Sequence, residues 1–220
     1  GTAITTGDDN VAIGYQAGDA LTTGGGNVVI GHGAFSAEDT GSNHVAIGKS
    51  ALAVLNIGGN SNVAIGLNSL AANVSGGNNT AIGTNTLAAQ NTSGTAADTH
   101  NTAVGNSAGA SVTSGISNTL IGSISGDAIT TGTNNVAMGV SSLSTDTAGQ
   151  FSVAIGANAL ATQNFSTSTD VFNTAVGLSA GRLVTTGVNN TLLGGLSGDA
   201  LTDADANTAI GAYSLSADTL

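Results

Sequence analysis

Asn62-Val63-Ala64-Ile65-Gly66 is one of twelve variants of a single phrase, and reading that phrase decides the fold. The phrase ends at Gly14, Gly31, Gly48, Gly66, Gly83, Gly105, Gly122, Gly139, Gly156, Gly177, Gly194 and Gly211. Successive glycines are 17 residues apart, except for spacings of 18 before Gly66, 22 before Gly105 and 21 before Gly177. A fixed period of this kind marks a repeat architecture, in which each unit buries its apolar residues only by stacking on its neighbours. Such a unit is too short for a helical repeat. It predicts one coil of an all-β, parallel β-solenoid, with two short strands and two turns per coil. Twelve coils stacked at ~4.8 Å would give a rod roughly 60 Å long. A longer period overlies the short one: Asn101–Ser144 matches Asn173–Ser216 at an offset of 72, as if a block of four units had been duplicated.

Positions within the unit carry distinct demands. Ile, Val, Leu or Met stands one place before every glycine, and Val or Thr stands three places before. These two share a strand face, and the residue between them points to the other. That middle residue is Ala in nine copies and Val29, Leu120 or Leu192 in the rest. Both faces are thus apolar, as in a strand covered on both sides. The small-residue face is expected to need a second layer, supplied by an identical chain. Four places before the glycine stands Asn10, Asn27, Asn62, Asn79, Asn101, Asn118, Asn135, Asn173, Asn190 or Asn207, with His44 and Ser152 as the substitutes. Stacked amides at strand spacing can bond along the stack and to turn backbone, so the row reads as a structural ladder.

The second half of the unit shows a compensation. Four places after the glycine is either Gly or a large apolar residue. Where it is Gly (Gly18, Gly109, Gly126, Gly181, Gly198), the seventh place is Leu21, Val112, Ile129, Val184 or Leu201. Where it is large, the seventh place is polar in all but one copy, as at Leu143 with Asp146; Leu52 with Leu55 is the exception. Close packing predicts one core slot per coil, filled from either position, so that residues 143 and 146 should be able to exchange the role.

The chain of 220 residues has 34 glycines and no Pro, Cys or Trp, and only 7% of its residues are charged. Its net charge is −11, with Lys49 and Arg182 the only basic residues. That balance argues against nucleic acid, which needs clustered Lys and Arg, and against docking to anionic lipid. No apolar run approaches the ~20 residues of a membrane span, so membrane insertion is not expected. Without cysteine there is no disulfide and no thiolate metal site.

The phrases Asn10-Val11-Ala12-Ile13-Gly14 and Asn62-Val63-Ala64-Ile65-Gly66 resemble the head repeats of trimeric autotransporter adhesins of the YadA type. They are also similar to repeat stretches of long phage tail fibres. The resemblance runs along the whole chain. It implies a left-handed β-roll in a homotrimeric rod; both the handedness and the number three come from the resemblance. The unit is longer than the adhesin unit, and no neck, stalk, anchor or chaperone domain accompanies it.

Chemistry is sparse. His32, His44 and His100 fall at three different repeat positions, and no catalytic constellation stands out, so an enzyme is not expected. No cofactor is expected either. Asp199, Asp203 and Asp205 form one of the densest acid groups and are the weak candidates for a metal; solvated turn acids are the plainer reading. The two long coils place insertions within Gln90–His100 and Gln163–Phe172, near 90–100 and 163–172. Asn91, Thr92, Asp98, Asn164, Phe165 and Asp170 are their recognition candidates, since function on repeat folds sits on such loops. Neutral loop growth explains them equally well.

Ala3-Ile4-Thr5-Thr6-Gly7 matches Ala20-Leu21-Thr22-Thr23-Gly24, so the chain begins within a coil, and it stops within one after Leu220. Residues 1–220 therefore read as a single solenoid domain and as a segment of a longer fibre. The expected function is structural: a piece of an extracellular or virion fibre, at the virion or cell surface, that spaces or presents receptor-binding surfaces. The alternatives are an adhesin head that binds a host or glycan surface directly, and a subunit of a self-stacking extracellular filament. The expected partners are further copies of the chain and a cell-surface or glycan receptor.

Overall fold

A computed structural model describes residues 5–37, 40–55, 60–92 and 97–216. Among them the protein is all-β, without a helix, and winds as a parallel β-solenoid in two compact units, Gly1–Ser114 and Gly115–Leu220. The first holds β1 (Val11–Ile13), β2 (Val28–Ile30), β3 (Val45–Ile47), β4 (Val63–Ile65), β5 (Gly76–Gly77), β6 (Thr80–Ile82), β7 (Ala97–Asp98) and β8 (Thr102–Val104). The second holds β9 (Thr119–Ile121), β10 (Val136–Met138), β11 (Gly149–Gln150), β12 (Val153–Ile155), β13 (Thr169–Asp170), β14 (Thr174–Val176), β15 (Thr191–Leu193) and β16 (Thr208–Ile210).

Repeat position is preserved across every pairing. Val11 faces Val28, Val28 faces Val45, Val45 faces Val63, Val63 faces Thr80 and Thr80 faces Thr102. The second unit runs Thr119, Val136, Val153, Thr174, Thr191 and Thr208 in the same way. The 18-, 21- and 22-residue coils therefore absorb their extra residues outside the strand, without a slip in register.

Each ordinary coil carries one three-residue strand rather than two. The second half-coil is prevented from extending by its backbone. The residues two and four places after the glycine have positive φ throughout, from Gln16 (56°) and Gly18 (55°) to Tyr213 (60°) and Leu215 (51°). So do those five places before it, such as Asn43 at 61° and Asn134 at 57°. These left-handed residues fold the chain into tight turns. The turns still bond to the next coil, as in Gly18 N–H to Ala34 O at 3.0 Å and Leu143 N–H to Ala159 O at 3.0 Å.

The phrase-ending glycine has a different reason. Its φ lies between 115° and 138°, outside the range of L side chains, and its Cα faces the glycine of the next coil. A Cβ on Gly139 would lie 2.6 Å from the carbonyl carbon and oxygen of Gly156. Only glycine satisfies both the dihedral and the approach.

The core lies on the small-residue face. Ala46, Ala64, Ala81, Ala103, Ala137, Ala154 and Ala175 are fully buried inside the coils, as are Val29, Leu120 and Leu192. The residues on either side of them point outward. The face left outside is therefore the Val/Ile face and not the small-residue face, the reverse of the expectation. The coil interior is too narrow for two bulky rows, so the small one turns in, and the second half-coil fills what remains. Phe35, Leu52, Leu70, Leu87, Leu143 and Leu160 are buried there from the fourth place. Leu21, Val112, Ile129, Val184 and Leu201 are buried from the seventh, where the fourth is Gly.

Two details revise the slot. The seventh place is interior in every described coil, polar ones included: Asn73, Gln90, Asp146 and Gln163 are all fully buried, and Leu52 and Leu55 are buried together. Glycine at the fourth place also makes room for the larger middle residues. A Cβ on Gly126 would lie 2.7 Å from Leu120 Cδ2, and one on Gly198 would lie 2.7 Å from Leu192 Cδ2.

Two glycine substitutions separate these demands. Gly139→Ala should destabilise by more than about 3 kcal/mol, since clash adds to strain. Gly33→Ala, at a left-handed site with nothing within 4 Å of the added Cβ, should cost only ~1–2 kcal/mol. Urea melts of both variants check this, and equal losses would contradict the close-approach argument.

Candidate functional site

The asparagine row is a backbone clamp. Within each unit amide oxygens accept the backbone N–H at the same place of the next coil: Asn27 to Asn10 Oδ1 (2.9 Å), Asn79 to Asn62 Oδ1 (3.0 Å), Asn101 to Asn79 Oδ1 (3.0 Å) and Asn190 to Asn173 Oδ1 (2.9 Å). Asn118 and Asn135 accept in the same way from Asn135 N–H (3.0 Å) and Ser152 N–H (2.9 Å), and Asn190 accepts from Asn207 N–H (2.9 Å). The amide nitrogen donates to a turn carbonyl seven places before the next glycine, as in Asn10 to Gly24 O (2.8 Å), Asn62 to Gly76 O (2.9 Å) and Asn173 to Gly187 O (2.7 Å). One side chain thus satisfies a donor and an acceptor that the strand ladder leaves over, and a buried polar group left unpaired costs about 1–3 kcal/mol.

His44 fits this row through its ring. Its backbone N–H donates to Asn27 Oδ1 at 2.8 Å, and its Nδ1 accepts Asn62 N–H at 3.2 Å, in place of an amide oxygen. The ring packs on Phe35 with centroids 4.8 Å apart. At Ser152 the shorter side chain is supplemented by Gln163, whose Nε2 reaches Ser152 Oγ at 2.9 Å while its Oε1 accepts Asn173 Nδ2 at 2.9 Å. Gln90 Oε1 accepts Asn101 Nδ2 at 2.9 Å in the same manner. Both long coils therefore carry a buried glutamine that reaches the amide row from inside.

Asp146 anchors the second insertion. Its buried Oδ1 accepts Gly149 N–H (3.1 Å) and Phe165 N–H (3.0 Å), and its Oδ2 accepts Gln163 Nε2 (2.6 Å). This network argues against the expected exchange with Leu143: a leucine at 146 would leave three N–H donors without that acceptor. Sequence reasoning missed Asp146 and the two glutamines because a polar residue in a turn normally faces water. The signal that could have found the glutamines is that both coils longer than 18 residues carry Gln at the seventh place.

The insertions are built alike. β5 pairs with β7 in the first and β11 with β13 in the second, each a two-residue parallel bridge beside the strand. Asn91 is half-buried and donates its N–H to Thr113 O (2.9 Å), and Thr92 Oγ1 meets Ser75 Oγ (2.6 Å). Asp98 is exposed on β7. Asn164 is exposed and donates its N–H to Thr185 O (2.9 Å). Phe165 is half-buried, its backbone tied to Asp146 and Ala148, and Asp170 is exposed on β13. Each insertion thus displays one exposed acid, Asp98 or Asp170, with its other candidates engaged in the coil.

The acid group does not converge. Asp203 accepts from Thr202 Oγ1 (3.2 Å), Asp205 Oδ1 accepts Val188 N–H (2.7 Å), and Asp199 Oδ1 is buried without a hydrogen-bond partner among the described residues. Among the described residues no three His, Cys, Asp or Glu side chains are grouped to hold a metal. The described residues also contain no pocket and no helix able to cross a membrane. Burial pushes the Asp127 carboxyl above its ordinary value, opposed by a backbone hydrogen bond.

The geometry defines a parallel β-solenoid repeat protein held by an internal amide row. No protein-family profile, curated protein or solved structure matches the chain.

The Asp146 network has a direct test. Leu143→Ala should cost ~2–5 kcal/mol. Adding Asp146→Leu should lower stability further, because hydrogen bonds to a charged group contribute about 1.5–3 kcal/mol each. The amide of Phe165 should also exchange faster. A double variant that melts above the single one would contradict the network.

Proposed function

We propose that the chain is a structural repeat segment of an extracellular or virion fibre, in which identical chains pack together through their Val/Ile faces. One observation carries this reading. The strand face turned away from the core repeats Ile, Val, Leu or Met one place before the glycine and Val or Thr three places before it in both units, and Ile82 and Met138, each inside its stack, are still 37% exposed. Leu193 adds to it in the second unit. Soluble monomers rarely leave a contiguous apolar surface of this kind open.

A second copy is the partner that suits the face best. It repeats the same coil spacing, so its ridges fall in register with those of its neighbour. The face carries little charge, which leaves the −11 of the chain to the turns, where it keeps an assembly soluble. Three chains around one axis, each a left-handed roll, are the form that the resemblance to adhesin heads and tail fibres implies. Closure around an axis would cover every copy of the face. The role is mechanical rather than enzymatic: a protease-resistant spacer that holds receptor-binding surfaces away from the particle or cell.

Light scattering on the purified chain should give a homo-oligomer, with three copies expected. Met138→Lys and Ile82→Lys should shift it toward monomer and leave the far-ultraviolet circular dichroism unchanged, because both side chains are already part-exposed in the single chain. A wild-type chain that stays monomeric up to about millimolar concentration would end this reading.

A further inference from the structure

We infer that Phe151 and Phe172 form a binding platform for a neutral pyranose sugar, on the second unit beside the insertion at 163–172. The inference gives a ligand class to the recognition role of that insertion. It rests on reading the chain as an extracellular fibre.

The two rings occupy the same repeat position, five places before Gly156 and Gly177. They stack with centroids 5.3 Å apart and planes within 12°. Phe151 remains 37% exposed and Phe172 52% exposed, so the pair is not part of the core. Both sit at positive φ, 59° and 52°. A left-handed backbone disfavours a bulky side chain, and bulky residues that accept it at the fourth place, such as Leu143 and Leu160, are buried in the core, whereas these two are not. Other coils meet the same demand with small or polar residues, such as Asp9, Gly26, Asn43, Ser61, Asn134 and Asn189.

The first insertion supplies an internal control. Its bridge, β5 with β7, repeats the bridge of β11 with β13. Thr99 N–H donates to Gly77 O as Val171 N–H donates to Gln150 O. Yet Asn78 and His100 stand there where the second insertion has the two phenylalanines, at φ 58° and 51°. The backbone device works without aromatic rings. Their presence in one insertion alone, in a chain with only six Phe and Tyr residues, is not required by the fold.

The surroundings select the ligand. Thr133 and Asn134 lie on the coil before, and Asn189 on the coil after. Gln150 lies next to Phe151, held by Thr133 Oγ1 at 2.9 Å and by Ser168, and Asp170 is exposed on the paired bridge. An apolar ring surface rimmed by amides, hydroxyls and one carboxylate matches a pyranose, which has a C–H face and a rim of hydroxyl groups. Lys49 and Arg182 stand at other repeat positions, one and five places after their glycines, so an anionic sugar or a phosphate finds no cation here.

Saturation-transfer NMR on the full chain, with short neutral oligomers of glucose, galactose and mannose, tests the inference. At least one oligomer should bind saturably, with its ring C–H protons receiving the strongest transfer. Phe151→Asn and Phe172→Asn should each weaken it about tenfold or more, with melting temperature and oligomeric state unchanged. Phe172→His, the residue of the other insertion, is the second variant should asparagine disturb the loop. A wild-type chain silent across the panel overturns the inference, as do variants that bind like wild type. So do variants that lose oligomeric state rather than sugar, since the rings would then be a subunit contact. A monomeric wild type that still binds sugar would instead refute the fibre reading and leave the platform standing.

Discussion

Parallel strands stack at one fixed spacing, ~4.8 Å, and everything in a coil must fit that repeat. One tight point is the glycine that ends each strand. From Gly31 to Gly48 and from Gly177 to Gly194 the chain approaches its own next turn so closely that a Cβ would lie 2.5–2.7 Å from a carbonyl group. The same residue has a φ that only glycine adopts freely. The strand can therefore end in the same place in every coil, and the rows before and after it stay aligned.

Alignment turns single residues into rows with collective effects. The asparagine four places before the glycine bonds one coil to the next because the next coil presents its N–H at the same height. The Ala row is buried because every coil turns the same face inward. The large interior residues alternate between the fourth and seventh places without moving the backbone, since both points open on the same space. An insertion is tolerated because it leaves after the seventh place and rejoins before the strand, and its cost in chain entropy grows only slowly with length. Asp146, Gln163 and Gln90 secure the departure point from inside.

The surface follows from the same geometry. Turning the small face inward leaves the Val/Ile face outward, and this is the face through which we propose that chains pack. The tight turns need left-handed residues, and at most sites the chain supplies Asn, Ser or Gly. Bulk at such a site is not itself unusual, since Leu143 and Leu160 are buried there and Ile124 and Tyr213 are exposed; what sets Phe151 and Phe172 apart is that two exposed rings stack on each other.

The sequence by itself determined the repeat, its parallel β stacking, the residue rows and the places where coils lengthen. Those features depend on period and residue type, which a periodic chain states twelve times over. It also pointed to Asn10, Asn62 and their counterparts as a ladder, because an amide repeated at strand spacing has few other uses. Only the tertiary structure decided which strand face is inside, that the second half-coil is turn rather than strand, and that Asp146 and the glutamines are buried. Alternation marks two faces but not which one is inner; that depends on the width of the closed coil. Likewise, a polar residue in a turn reads as solvated until the coil closes over it and supplies its hydrogen-bond partners.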